Sequence, residues 1–164
     1  FFRDQDLKIY YLKDLLNENN IVLSFFRGAW CPYCDLELKA LAEIHGQIKA
    51  KGARLIAVSP ELYQFTKDAI EKHKIDYPVY TDLGNKAADE FGLVFELPPK
   101  LRDIHKILNI HLNVLNGEPS WTLPVPATFI ISKQGIIEST YINADYTSRM
   151  EPEDILKVLD TLPS

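Results

Sequence analysis

Two cysteines separated by two residues, in the run Cys31-Pro32-Tyr33-Cys34, are the feature that most constrains this 164-residue chain. Residues 21–26 before them form an apolar run of strand-forming side chains, which is typical of a strand buried on both faces. Residues 35–51 after them place apolar side chains at helical spacing on one side. The pattern therefore predicts that the cysteines lie where a buried strand ends and a helix begins.

The position at a helix start favours redox chemistry for the two thiols. The first N–H groups of a helix have no intrahelical acceptor and the helix dipole is positive there, so a thiolate is favoured over a thiol. Trp30 and Pro32 flank Cys31, and Pro32 suits the first turn because its missing N–H costs nothing there. Inert packing of two small apolar side chains does not explain this placement. Cys31, at the very start of the helix, is predicted to be the more exposed and more acidic thiol.

A structural zinc site is the alternative interpretation of the same spacing, because C-x-x-C supplies half of the ligands that such a site needs. The sequence has no third cysteine, and His105 and His111 stand six residues apart, outside the usual spacing of a histidine pair. We therefore predict no metal and no cofactor. Cys31 and Cys34 are predicted to form a reversible intramolecular disulfide.

Length and composition indicate a single globular domain. The chain is long enough for one hydrophobic core, and 46% hydrophobic and 25% charged residues are ordinary values. The formal net charge of −5 and the lack of a basic cluster argue against nucleic acid or a membrane surface as a partner, and no apolar run is long enough to span a bilayer. A reducing cytoplasm is the expected location, while a chain that begins at Phe1 leaves open a targeting segment that was removed.

Alternating patterns along the chain predict an α/β fold with a central mixed β-sheet flanked by helices on both faces. Strands are predicted at the buried apolar runs 21–26, 54–59, 127–131 and 136–142, the last two forming a hairpin. Helices are predicted after Cys31, after Pro60, before Gly92 and after Pro152.

Two longer motifs carry a family resemblance. One reads Arg27-Gly28-Ala29-Trp30-Cys31-Pro32-Tyr33-Cys34 with Leu36-Glu37-Leu38, and the other reads Trp121-Thr122-Leu123-Pro124-Val125-Pro126-Ala127-Thr128. Together with the order of elements, they resemble the peroxiredoxin-like (AhpC/TSA, redoxin) family of the thioredoxin superfamily, in a subgroup with a C-P-Y-C motif. The resemblance covers nearly the whole chain. It implies one thioredoxin-like domain over residues 1–164 and a thiol-dependent antioxidant oxidoreductase, re-reduced by thioredoxin or a similar thiol donor.

Two alignments of the cysteines with this superfamily stay open. In the thioredoxin alignment, Cys31 is the attacking thiol and Cys34 resolves it. In the peroxiredoxin alignment, Cys34 takes the peroxide-reacting position, and Glu37 matches the glutamate usually found three residues later. The second alignment places Cys31 at the family's threonine or serine, Arg27 at a proline, and Pro126 at the arginine that activates peroxide.

Two arginines are candidates to replace the missing peroxide-activating arginine. Peroxide cleavage needs donors aimed at both oxygens as charge develops on the leaving one. Arg149, just before the last helix, resembles a second arginine that many peroxiredoxins place near the site, and Arg27 is another substitute. A plain surface or structural role is the alternative for both.

Pro126 favours disulfide exchange as the reaction. Thioredoxin-like enzymes place a cis-proline opposite the C-x-x-C motif, where the neighbouring backbone pairs with a substrate chain. The Val125–Pro126 bond is therefore predicted to be cis, with a trans proline at a strand start as the alternative.

A helical insert at about residues 98–117 departs from the family pattern. Pro98 and Pro99 predict a helix that continues to Leu115 and ends at Asn116-Gly117. Its apolar residues form two opposite stripes, one of Leu101, Ile104, Leu108, Leu112 and Leu115 and one of Ile107, Ile110 and Val114. Such a helix needs apolar contact on two sides. The domain body covers one side, and a partner subunit of a homodimer, a bound substrate or loop residues cover the other.

Three functions are consistent with the sequence. The first is reduction of hydroperoxides through the Cys31/Cys34 pair, which the family resemblance favours. The second is protein-disulfide oxidoreduction, which Cys31 and Pro126 favour. The third is a redox sensor in which the pair switches a partner surface without turnover.

Overall fold

The computed structural model of the protein describes residues 1–163 and has a central seven-stranded β-sheet. The strands are β1 (Phe2–Arg3), β2 (Ile9–Tyr10), β3 (Asn20–Phe25), β4 (Ala53–Ser59), β5 (Val79–Thr81), β6 (Val94–Glu96), β7 (Thr122–Pro124), β8 (Ala127–Ile131) and β9 (Ile137–Ile142). The helices are α1 (Leu12–Leu16), α2 (Pro32–Ala50), α3 (Tyr63–His73), α4 (Lys86–Glu90), α5 (Pro99–Ile107), α6 (Leu112–Leu115) and α7 (Pro152–Asp160), with a 3-10 turn at Leu83–Asn85. No helix in this part of the chain is long and apolar enough to cross a membrane.

Strand β3 lies near the centre of the sheet, whose order is β2-β1-β5-β4-β3-β8-β9, and it is buried at every position. It pairs in parallel with β4 and antiparallel with β8, which makes the sheet mixed. One face of the sheet packs against α2 and α7, and the other against α1 and α4. The predicted mixed sheet with helices on both faces is thereby confirmed, and α2 begins at Pro32, slightly earlier than the apolar periodicity indicated.

The insert contains two helices, α5 and α6, so the prediction of one continuous helix is wrong. Asn109 breaks it by adopting a φ of 58°, a left-handed conformation that asparagine tolerates better than most residues. The Ile110 N–H then donates to the His105 carbonyl at 2.8 Å, which closes the end of α5. As a result Leu112 packs inward, whereas Leu101 and Leu108 are exposed.

The Val125–Pro126 bond is trans, since no peptide bond among residues 1–163 is cis, and the predicted cis-proline is wrong. The small sheet of β6 and β7 explains the difference. Strand β7 of this sheet ends at Pro124. The Val125 N–H then donates to the Leu93 carbonyl at 2.8 Å, before β8 begins at Ala127. This N–H is therefore already paired and is not held open for a substrate strand.

Candidate active site

The C-x-x-C motif lies at the start of α2, where Cys31 precedes the first turn and Cys34 is inside it. Both thiols are free and buried, with exposed fractions of 1% and 0%. The prediction that Cys31 is the more exposed thiol is therefore wrong. Both cysteines belong to the apolar core cluster against which Trp30 packs. Any difference in reactivity must therefore come from the charged and polar groups around each sulfur.

Cys31 is paired with a cation. Arg27, just after β3, donates from Nη2 to Cys31 Sγ at 2.9 Å, and its own side chain is buried. The pKa of Cys31 is lowered to about 5 by a hydrogen bond from the Cys34 thiol and by Arg27. Burial acts in the opposite direction. The lowered pKa favours the thiolate form of Cys31 at neutral pH.

Cys34 has a different environment. Arg149 Nη2 lies 3.5 Å from Cys34 Sγ, while Arg149 Nε donates to Glu37 Oε2 at 2.7 Å. Ser24 Oγ donates to the other oxygen of Glu37 at 3.4 Å, and burial raises the pKa of Glu37 to about 7, although Arg149 opposes the shift. The hydrogen bond with Cys31 and then burial raise the pKa of Cys34 well above its usual value. The shift favours the neutral thiol form of Cys34. Its neighbours Glu37 and Arg149 line a cleft of about 200 Å³.

The loop between β3 and Cys31 is held from two sides. Gly28 has a φ of 153°, and a Cβ there would lie only 2.3 Å from Trp30 Nε1, so a residue without a side chain is required. On the other side, the buried Glu61 carboxylate accepts hydrogen bonds from the Ala29 N–H at 2.9 Å and from Thr66 Oγ1 at 2.8 Å. These contacts fix the path of the chain from Arg27 to Cys31.

Residues 146–149, between β9 and α7, contact both sulfur environments. The Tyr146 ring centroid lies 4.0 Å from Arg27 Cζ, so the ring covers the guanidinium that faces Cys31. Arg149 donates from Nη1 to the Tyr146 carbonyl and presents Nη2 to Cys34. One short segment thus supports the surroundings of both thiols.

The structure gathers most of the predicted site residues around the two sulfur atoms: Arg27, Trp30, Cys31, Pro32, Cys34, Glu37 and Arg149. Pro126 precedes the Ala127 that pairs with Phe25, which places it near the end of β3. Sequence reasoning missed Ser24, Glu61, His105 and Tyr146. Of these, Glu61 was predictable from the sequence, because it comes just after β4. Strands β3 and β4 are parallel neighbours, so the residues that follow them lie at the same edge of the sheet. Within residues 1–163, no three His, Cys, Asp or Glu side chains are grouped to hold a metal.

This arrangement is that of a thioredoxin-like α/β protein with two free cysteines at the start of a helix. The model of the AhpC/TSA family matches residues 2–140. The chain belongs to the AhpC/TSA family, and the resemblance seen in its sequence is confirmed.

Curated relatives share low sequence identity with the chain. Chloroplastic peroxiredoxin Q of Sedum lineare is 22% identical over 142 residues, which are 87% of this chain and 64% of the relative. The thiol-disulfide oxidoreductase ResA of Halalkalibacterium halodurans is 25% identical over 79 residues, which are 48% of this chain and 44% of the relative. The chain spans 64% or less of the length of either protein.

Solved structures match over almost the whole chain. Peroxidoxin BcpB from Mycobacterium tuberculosis superposes with a TM-score of 0.76 at 18% identity, covering 100% of this chain and 94% of that one. Reduced Prx3 from Vibrio vulnificus in complex with hydrogen peroxide superposes with a TM-score of 0.75 at 17% identity, covering 98% and 89%. At these identities the similarity establishes the fold.

Proposed function

We propose that the protein is a thiol-dependent peroxidase in which Cys31 attacks a hydroperoxide and Cys34 resolves the product. The observation that carries this proposal is the 2.9 Å contact between Arg27 Nη2 and Cys31 Sγ in a buried site. A thiolate is the nucleophile in thiol chemistry, and the hydrogen bonds from Cys34 and Arg27 favour that form of Cys31. Membership of the AhpC/TSA family and the similarity to peroxiredoxin Q support the same reaction.

In the first step the Cys31 thiolate attacks the terminal oxygen of the hydroperoxide. An S–O bond forms, the O–O bond breaks, and the leaving alkoxide or hydroxide takes a proton from solvent. Cys31 is oxidised to a sulfenic acid while the hydroperoxide is reduced to an alcohol or water. Arg27 Nη2 lies beside Cys31 Sγ, where it donates to the hydroperoxide oxygen that the sulfur attacks.

In the second step Cys34 attacks the sulfenic sulfur. In the reduced protein, the hydrogen bond and the charge of Cys31 are two of the causes that raise the pKa of Cys34. A neutral sulfenic acid on Cys31 removes that charge, so Cys34 ionises more readily with Arg149 close by. The S–S bond then forms, and the departing hydroxide combines with the proton released by Cys34 to give water.

Thioredoxin or another dithiol is the reductant that we propose for the third step. It donates two electrons and two protons, which return the disulfide to two thiols. Such donors are maintained in a reducing compartment, which supports a cytoplasmic location. The exposed apolar residues Ile104 and Ile107 on α5, and Leu108 just after it, support a homodimer or a docked partner in this cycle.

Protein-disulfide oxidoreduction is the second candidate function, because the chain is similar to ResA over residues that make up 48% of its length. A buried Cys31 and a paired Val125 N–H are less suited to a protein substrate than to a small peroxide. A redox sensor is the third candidate, and it differs from both by oxidation without turnover.

One steady-state experiment separates the three candidates. The protein is supplied with thioredoxin, thioredoxin reductase and NADPH, and NADPH oxidation is followed with hydrogen peroxide, an organic hydroperoxide or a protein disulfide as substrate. We expect sustained turnover with the hydroperoxides. Turnover with the protein disulfide alone would establish the second candidate, and one oxidation per protein without turnover would establish the sensor.

A further inference from the structure

Three buried nitrogen atoms, on Arg27, on Trp30 and on the histidine that contacts Trp30, make no hydrogen bond to any other described residue. They are Arg27 Nε, Trp30 Nε1 and His105 Nδ1. Arg27 and His105 are only 8% and 9% exposed, so these are not surface groups with free access to water. Leaving buried polar atoms unpaired is costly, and a native structure usually retains them for a reason. Arg27 and His105 both contact the ring of Trp30, the residue before Cys31, and this grouping points to a ligand that pairs with the three atoms.

The contacts join these residues in a continuous series that starts at the nucleophile. Arg27 Nη2 lies 2.9 Å from Cys31 Sγ, and Arg27 Cζ lies 5.3 Å from the centroid of the Trp30 ring. The His105 ring meets Trp30 edge-on, with centroids 5.2 Å apart and an angle of 71° between the planes. The imidazole is also within electrostatic reach of the site, because burial and Arg27 lower the pKa of His105 while Cys31 raises it.

His105 comes from α5, which is part of the insert. The insert is anchored beside the site, since Trp30 packs against Leu112 of the insert and against Leu97, which comes just before it. Arg102 Nε also donates to the Leu97 carbonyl at 2.7 Å, which fixes the start of α5. The position of His105 is thus set by the fold of the insert, and its ring is not on a free loop.

We propose that His105 is a further catalytic residue, which hydrogen-bonds a hydroperoxide oxygen while Arg27 binds the other oxygen next to Cys31 Sγ. This inference rests on the proposed peroxidase function. Pro126 has no side-chain donor, so the second donor that peroxide cleavage needs must come from elsewhere. The bond changes are those of the first step: S–O forms, O–O breaks, and His105 ends the step with the protons it had at the start.

His105→Phe is the direct test, because phenylalanine keeps a ring against Trp30 and removes both nitrogens. The readouts are the second-order rate constant of Cys31 with hydrogen peroxide and its rate of alkylation by iodoacetamide, which needs a thiolate but no oxygen donor. We expect the peroxide rate to fall about 100-fold, the effect of losing one oxyanion donor, with alkylation nearly unchanged. His105→Gln restores an N–H and should recover part of the loss.

His111→Phe is the matched control, because His111 is an exposed histidine of the same insert and contacts Asn109. It should leave both rates unchanged. An equal fall of both rates in His105→Phe would overturn the inference, because His105 would then only position the loop, and so would two unchanged rates. Failure of the wild-type protein to react with hydroperoxides would overturn the proposed function and this inference together. Wild-type reaction with no effect of His105→Phe would overturn the inference alone.

Discussion

The two thiols at the start of α2 are one helical turn apart, yet their surroundings are opposite. Arg27 donates a hydrogen bond to Cys31, and within residues 1–163 its guanidinium forms no salt bridge with a carboxylate. Arg149 contacts Cys34, but its guanidinium is ion-paired with Glu37 at 2.7 Å. A nearby arginine is therefore not enough to stabilise a thiolate. A guanidinium without a carboxylate partner stabilises a neighbouring thiolate more than one whose charge is already compensated.

The largest expected effect comes from exchanging the sulfur atoms for oxygen. Cys31→Ser should abolish the reaction with hydroperoxide, because a serine hydroxyl at this position remains protonated. Cys34→Ser should still undergo the first oxidation but form no intramolecular disulfide. Mass spectrometry after one equivalent of hydrogen peroxide, with dimedone to trap sulfenic acid, measures both. A trapped sulfenic acid in Cys31→Ser and none in Cys34→Ser would assign the attack to Cys34.

The next effect concerns the two arginines. Arg27→Gln should raise the pKa of Cys31 and slow its oxidation by about 100-fold, because it removes the unpaired positive charge from the thiolate. Alkylation by iodoacetamide across pH should be half-maximal near pH 5 in the wild type, where Cys31 ionises, and at a higher pH in the variant. Arg149→Gln is the matched control and should change this first step by less than about threefold. If Arg27→Gln and Arg149→Gln slowed the oxidation of Cys31 equally, Arg27 would have no special effect on the Cys31 thiolate.

Glu37 affects stability through its buried carboxyl group. Its pKa is raised from 4.5 to about 7 by burial, so the folded protein binds this proton more tightly than the unfolded chain. The stability that this proton contributes is therefore complete below pH 4.5 and is lost as pH rises through about 7. Relative to the wild type, Glu37→Gln should gain about 3 kcal/mol in unfolding free energy between pH 4.5 and about pH 8. Urea unfolding at the two pH values checks this, and a constant difference would place the Glu37 pKa near its ordinary value.

The smallest expected effect is on the resolving step. Arg149→Gln should slow disulfide formation after oxidation of Cys31 by about tenfold, since one pKa unit in Cys34 changes its thiolate fraction by that factor. Single-turnover quenching with mass analysis measures the step. The double variant Arg149→Gln, Glu37→Gln removes the unpaired carboxylate that the single variant leaves behind. Faster resolution in the single variant than in the wild type would mean that Arg149 holds Cys34 back.

Local sequence patterns predicted the elements that carry the thiols. The apolar run before Arg27 and the periodicity after Cys34 each lie within one segment, so they indicated β3 and α2 without knowledge of the rest of the chain. Arg149 came from the family resemblance, because 115 residues separate it from Cys34 and no local pattern joins them.

The parts that were not predicted depend on single backbone conformations or on distant partners. One left-handed residue, Asn109, divides the insert, and helical periodicity does not reveal such a break. The Val125 N–H donates to the carbonyl of Leu93, and the whole insert separates these two residues in sequence. His105 and Tyr146 reach the site only because the insert and the last loop fold back over it.

The segment of residues 146–149 connects the surroundings of the two sulfur atoms. Tyr146 covers Arg27 while Arg149 faces Cys34, and the two residues are joined through the Tyr146 carbonyl. Displacing this segment therefore strips the counter-charge from one sulfur and unshields the guanidinium at the other in the same event. A substitution in this segment should change the surroundings of both thiols together.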